Sequence, residues 1–258
     1  MSAASLLDPD EADPVLIDNG DGTSVFFLTC DHAGRVIPRR LRRLGLPEAE
    51  TLRHIAWDIG IGPVGRRLSG LLGAACIRQV YSRLVIDCNR DPGVPSSIPE
   101  ISETTEIPGN RGLSAVARAA RLDGIFKPYH ERISVLLDRR AAAGRATALV
   151  ALHSFTPVFK GTARPWHAAV LFNRDPRLAH ALAELLRAEG GLLIGENEPY
   201  AVSDATDYTV PVHAERRGLP HVEIEIRQDL IDGAEGQRLW AERLARLLPA
   251  AYALVEGR

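Results

Sequence analysis

The stretch Ala148–Pro157, Ala-Leu-Val-Ala-Leu-His-Ser-Phe-Thr-Pro, most restricts what this chain can fold into. A short unbroken apolar run rich in Val and Leu suits a strand buried on both faces of a sheet. His153 and Ser154 close it, and Pro157 breaks it. In open α/β sheets, ligands collect in the crevice beyond the carboxyl ends of the strands. A histidine there serves either chemistry or a hydrogen bond within the core, and the choice rests on what other strands bring to the same edge.

Strands and helices alternate through the rest of the chain, which argues for an α/β sheet. Ser24–Cys30 reads as a buried strand ending in Asp31-His32-Ala33-Gly34, where Asp31 and Gly34 suit a turn. Pro47-Glu48-Ala49-Glu50 carries helix-start signals, and that helix is expected to run towards Trp57 and Asp58. A second helix is expected over Val64–Leu72, then one long or two short strands between Cys76 and Cys88. Asp91–Gly112 reads as a long loop, and Ala115–Ala143 as helix broken or kinked at Gly124 and Pro128. His130 on it, like His213 on a short helix at Val210–Arg217, is expected to pack rather than react. Strands at His167–Phe172 and Leu192–Ile194 flank a helix near 176–189, and an amphipathic helix closes the chain. In His221–Arg227 charged and β-branched residues alternate, so Glu223, Glu225 and Arg227 share one face. This pattern fits an exposed edge strand for Glu223, whereas Glu225, nearer the carboxyl end, is the better functional candidate.

At 258 residues the chain can bury a sizeable core. We expect one catalytic domain over residues 14–258, preceded by a flexible acidic arm over 1–13. The net charge of −2 gives no general reason to expect nucleic acid or an anionic membrane as partner. No segment is apolar for long enough to span a bilayer, and the first residues lack the features of a signal peptide, so a cytoplasmic protein is expected. Cys30, Cys76 and Cys88 are odd in number and lack C-x-x-C spacing, which argues against a disulfide framework or a thiolate zinc site.

Gly60, Gly62 and Gly65 match G-x-G-x-x-G, with Asp87 22 residues beyond the last of them, the spacing of a dinucleotide-binding turn. That turn must follow a strand, but here a helix-start signal precedes it and Asp58 would set negative charge beside the pyrophosphate. A dinucleotide-binding oxidoreductase is therefore the rival reading, alongside a non-catalytic protein that binds an acidic ligand. Ser154 lacks the G-x-S-x-G elbow of a serine hydrolase.

Four segment ends now present His32, Arg83 to Arg90, His153 and Glu225. Two histidines on strand ends plus a carboxylate are similar to the ligand set of a catalytic zinc site, and a further carboxylate can act as general base. Arg83, Asp87 and Arg90 are costly near a core unless partnered, so they form an internal ion pair, an anion clamp, or both.

His32-Ala-Gly with Ile37-Pro38, His54-Ile-Ala-Trp-Asp58-Ile-Gly60 and Ser82-Arg-Leu-Val-Ile-Asp-Cys-Asn-Arg90 resemble the N-formylglutamate amidohydrolase family. Ile107-Pro-Gly-Asn110, Pro128-Tyr-His130, His153-Ser-Phe-Thr-Pro157, Arg164-Pro-Trp166, Asn197-Glu-Pro-Tyr200 and Glu225-Ile-Arg-Gln-Asp229 continue the likeness. The family is related to the zinc carboxypeptidases and aspartoacylases. The resemblance implies a three-layer α/β fold with a mixed, mostly parallel sheet flanked by helices. It also implies a zinc-dependent hydrolase of linear amides, with N-formylglutamate, an intermediate of histidine degradation, as the expected substrate.

By the same resemblance His153 is a metal ligand, Glu225 the general base, Arg83 the residue that polarises the scissile carbonyl, and Asn89 with Arg90 a substrate-carboxylate clamp. The related enzymes place a glutamate three residues after the first metal histidine, where this chain has Arg35. Asp58 is the expected third ligand beside His32 and His153, with His54 its competitor. The expected cofactor is Zn²⁺ or another divalent transition metal, and the expected partner a small acidic N-acyl amino acid.

Overall fold

The apolar run forms the strand expected of it: Ala148–Phe155, all eight residues buried, at the centre of a seven-stranded sheet. The computed structural model describes residues 5–257. In chain order its strands are β1 (Val15–Asp18), β2 (Phe26–Cys30), β3 (Ala75–Gln79), β4 (Ile101–Ser102), β5 (Thr105–Glu106) and β6 (Ala148–Phe155). They continue as β7 (Val158–Phe159), β8 (Thr162–Ala163), β9 (Ala168–Leu171), β10 (Ile194–Glu196) and β11 (His221–Arg227). The α-helices are α1 (Glu48–Thr51), α2 (Ile61–Leu72), α3 (Ala115–Arg121), α4 (Lys127–Ala142), α5 (Arg177–Ala188) and α6 (Ala234–Glu256).

The large sheet has the order β1-β3-β2-β6-β11-β9-β10, while β4-β5 and β7-β8 form small hairpins. Strands β3, β2, β6 and β11 run parallel, β1 and β9 are antiparallel to their neighbours β3 and β11, and β10 follows β9. Strand alternation splits the core in two. Phe26, Leu28, Val150, Leu152, Val222 and Ile224 pack with α2, α5 and α6 on one face. Phe27, Leu149 and Ala151 pack with Tyr129, Ile133 and Leu137 of α4 on the other. The architecture is thus the expected three-layer α/β fold with a mixed, mostly parallel sheet. No helix among the described residues is long and apolar enough to cross a membrane.

Several local expectations need correction. The helix after Pro47 stops at Thr51 because neighbouring loops capture the backbone that follows: Arg83 N–H and Ser82 Oγ donate to Ala56 O, and Asp58 N–H donates to His32 O. The strand expected to reach Cys88 ends at Gln79. Beyond it, side chains replace ladder bonds, with Leu84 N–H donating to Ser82 Oγ and Asn89 N–H to Asp87 Oδ1. The helix at 115–142 is interrupted at Gly124 as expected, by a π-helical turn rather than a break. That turn, over Leu122–Phe126, absorbs the proline, Lys127 N–H reaching back to Leu122 O. Strand β11 is no edge: it lies between β6 and β9, and Glu223 is buried.

The glycine motif is also filled by the protein itself. Gly60 adopts φ +81°, and a side chain there would meet Ile231 O at 2.1 Å. A β-carbon on Gly65 would stand 2.6 Å from Cys30 Sγ, so this glycine lets α2 approach the sheet. No strand directly precedes the motif, and chain atoms crowd Gly60 and Gly65. Gly65→Ala is expected to lower stability by about 1–3 kcal/mol through overpacking, measured by urea denaturation. Of the segment expected to be a loose arm, residues 5–13 lie on the body: Leu6 is buried and Asp8 pairs with Arg40 at 2.7 Å. Residues 1–4 fall outside the described residues.

Candidate metal centre

The carboxyl edge of the parallel strands gathers the predicted ligands. His32 follows β2, His153 lies two residues before the end of β6, and Asp58 arrives on the loop before α2. All three are buried, and one donor atom from each lies within 4.8 Å of the others. Asp58 Oδ2 stands 3.0 Å from His153 Nδ1 and 3.5 Å from His32 Nδ1. Bonds of about 2.1 Å at tetrahedral angles separate donor atoms by about 3.4 Å, so the three fit a zinc-type ion. His32 Nδ1 has no hydrogen-bond partner, as expected of a nitrogen reserved for a metal. His54, the competing ligand, lies outside the cluster, its Nε2 3.5 Å from Glu103.

Each histidine turns its other nitrogen to a buried carboxylate. His32 Nε2 lies 2.7 Å from Asp87 Oδ1, and His153 Nε2 lies 3.3 Å from Asp31 Oδ2. Such carboxylates fix ring orientation and raise the basicity of the ligating nitrogen. They are held in turn: Asp31 Oδ1 accepts from the Tyr129 hydroxyl at 2.7 Å, and Asp87 Oδ2 accepts from Arg83 Nη2 at 2.7 Å. Ser154 orients Asp58, its N–H donating to Oδ2 at 3.2 Å while its hydroxyl bonds Ile59 O. His130 supports the loop from below, its Nε2 donating to Cys88 O at 2.8 Å, and it stacks on His213. Burial pushes these two histidines down to about 4 and about 3, so both are neutral packing groups, as expected. Asp87→Asn should weaken metal binding about 10- to 100-fold while the fold persists, as measured by competition with a chromophoric chelator.

The electrostatics call for a cation. Asp31, Asp58, Asp87, Glu223 and Glu225 are all buried within this one region. Burial opposes ionisation of Asp58, yet His32 and His153 hold its carboxyl well below the usual range. Burial likewise opposes a charge on His153, but Glu223, Asp31 and Asp58 outweigh it and raise its proton affinity. Without a metal, then, the carboxylates seek a proton on the ligand itself. Burial pushes both Glu223 and Glu225 up to about 8.

A cavity of about 340 Å³ opens above the cluster, lined by His32, Asp58 and His153 together with Arg83, Glu223 and Glu225. Glu225 pairs in register with His153 across β11 and β6, and its Oε2 has no hydrogen-bond partner. Arg83 spans the acids, bonding Asp87 and reaching Asp58 Oδ1 at 3.5 Å. Asn89 and Arg90 also line the cavity, but Asn89 is committed internally. Its Oδ1 accepts from Tyr208 and Thr209 N–H, and its Nδ2 donates to Asp207. Arg90 Nη1 bonds Asn89 O, Thr206 O and Asp207. Sequence reasoning gave Asp31 to a turn and Glu223 to an exposed edge rather than to the site. The signal for Asp31 was a carboxylate next to a ligand histidine at a strand end.

Among curated proteins, none matches the chain. A gene product of Agrobacterium tumefaciens of solved structure is 38% identical, with a TM-score of 0.94 over 97% of this chain and 99% of its own. The N-formylglutamate amidohydrolase of Ralstonia eutropha shares the fold at 16% identity, with a TM-score of 0.65 over 96% of this chain and 100% of its own. The family model for N-formylglutamate amidohydrolase matches residues 24–232, which span every ligand and cavity residue named above, and the chain belongs to that family.

Proposed function

We propose that this protein is a zinc-dependent amidohydrolase that cleaves N-formylglutamate to formate and glutamate. The observation that carries the reading is the cluster of His32, Asp58 and His153 on the cavity floor, with Glu225 beside it in register. His32, Asp58 and His153 would hold the metal. When bound, zinc supplies a Lewis acid for the acyl oxygen, an acidified water, and positive charge that draws Glu225 back to its ionised form.

The chain's own groups do the rest. Glu225 takes a proton from the water as its oxygen bonds to the acyl carbon, then returns that proton to the amide nitrogen as the C–N bond breaks. Arg83 stabilises negative charge developing on the acyl oxygen; its anchor on Asp87 keeps it in place during the reaction. Arg90 receives a substrate carboxylate with the donors that Asp207 leaves unused, while Asn89 shapes its loop. Phe155 adds an apolar surface to the lining of the cavity.

The test is formate release from N-formylglutamate by purified protein of known zinc content. We expect turnover that a chelator abolishes and added zinc restores. A zinc-loaded protein that releases no formate, or a metal-stripped one with full activity, overturns the proposal.

A further inference from the structure

The metal cavity continues past the groups that would handle a formyl amide. A second hollow of about 260 Å³ adjoins it, and His54, Arg83, Arg90 and Tyr200 line both. The rest of the hollow's wall includes Pro99 and Ile101, at the start of the β4–β5 hairpin, and Phe159 of β7. Both of these segments are pinned. Arg53 Nη2 donates to Glu103 in the hairpin turn at 2.6 Å and its Nη1 to Thr105 at 2.8 Å, while Asn110 Nδ2 donates to Pro99 O at 2.7 Å. The Arg164 guanidinium meets two of the rings, 4.6 Å from the Phe159 centroid and 4.7 Å from that of Tyr200, and its Nη1 donates to the Tyr200 hydroxyl at 2.7 Å. Such cation–π contacts hold the aromatic part of the wall in place.

Much of the lining is apolar and uncovered. Ile101 is 61% exposed and Tyr200 41%, and Ile55 and Leu84 add further apolar surface. A single exposed apolar residue needs no explanation, but these converge on one hollow that opens into a reactive cavity. In the mechanism above, Arg83 stands at the acyl oxygen and Arg90 at the carboxylate of the amino acid. Arg90 is tied to Asp207, which lines the metal cavity but not the hollow. The amino-acid half of a substrate therefore belongs to the metal cavity, and the hollow begins past Arg83, on the acyl side. A formyl group has no atoms to place there.

We propose that the hollow is an acyl pocket, and that the enzyme hydrolyses N-acylglutamates bearing a branched aliphatic acyl group as well as N-formylglutamate. Water adds across the same C–N bond: its oxygen goes to the acyl carbon, a proton goes to the amide nitrogen, and a branched carboxylic acid leaves in place of formate. The inference rests on the amidohydrolase reading above and extends it from formyl to larger acyl groups.

The test is calorimetric titration of zinc-loaded Glu225→Gln protein with N-formylglutamate and N-isovalerylglutamate, together with glutamate release from both compounds by the wild type. N-isovalerylglutamate is expected to bind about 10- to 100-fold more tightly, the range for a short apolar chain entering a matching pocket, and the wild type should cleave both. Adding Ile101→Asp, at an exposed position, should cut the preference about tenfold or more by placing a charge in the hollow, whereas Ile101→Leu should keep it. Equal affinity for the two compounds, or a preference that Ile101→Asp leaves unchanged, overturns the inference. Cleavage of N-formylglutamate alone, without any preference in binding, removes the acyl pocket and leaves the proposed function standing. An Ile101-dependent preference in a zinc-loaded wild type that cleaves neither compound refutes the proposed reaction and leaves the pocket as a binding site.

Discussion

Replacing Glu225 by Gln should lower kcat by about 10²- to 10⁴-fold, the usual contribution of a positioned proton-transfer group. Zinc content should stay the same, because Glu225 is not one of the three clustered ligands. The amide preserves the volume of a side chain that is only 6% exposed, so packing on β11 is kept. It cannot accept the proton, however, and KM should change far less than kcat. Glu223 supplies the internal comparison. It shares the face, lines the same cavity and is also pushed up to about 8 by burial, but it lies one pleat deeper. A Glu225→Gln enzyme that keeps its turnover, beside a Glu223→Gln enzyme that loses it, would move the base to the deeper position. Formate release and metal analysis on the two variants settle which carboxyl moves the proton.

His153→Ala should act at an earlier stage and lose the metal itself. The ring contributes Nδ1 to the cluster and also separates two buried carboxylates, Asp58 at 3.0 Å and Asp31 at 3.3 Å. Its removal leaves both acids without their shared partner, a cost on the order of 3–5 kcal/mol for a broken buried pair. The expected result is a protein with less than one-tenth of an equivalent of zinc, no measurable turnover, and a lower urea midpoint. Chelated wild type should match its activity but not its loss of stability. Equal zinc occupancy in His153→Ala and wild type would remove this histidine from the ligand set.

Periodicity and the rule that ligands gather at strand ends were enough to read β2, β6, α2, α5 and the alternating face of β11 from the sequence. They placed His32, His153 and Glu225 at one edge before any coordinates. Other features depend on tertiary contacts that no local pattern carries. Whether β11 is central or peripheral is decided by β9 pairing with its far side, and alternation alone suits both outcomes. The segment 82–90 has the apolar content of a strand, but the side chains of Ser82 and Asp87 satisfy its backbone instead. The bonding of Asn89 was out of reach for a similar reason. A polar residue beside an arginine suits substrate binding, yet its three side-chain bonds all go to residues 207–209, more than a hundred positions away.

The reversal of strand direction between β11 and β9 has a bearing on how such an enzyme can be altered. The ligands and the proposed base come from the ends of β2, β6 and β11 and from the loop before α2, whereas the β7–β8 hairpin lies on the segment that leads into the start of β9. The metal ligands and cavity-lining residues such as Tyr200 and Asp207 are thereby encoded in separate stretches of chain that meet only in space. The hairpin formed by β7 and β8, together with the loop over 197–209, can be exchanged or lengthened without moving a ligand. Directed evolution towards a new acyl amino acid should therefore begin with a library confined to residues 156–167 and 197–209, leaving the zinc scaffold constant.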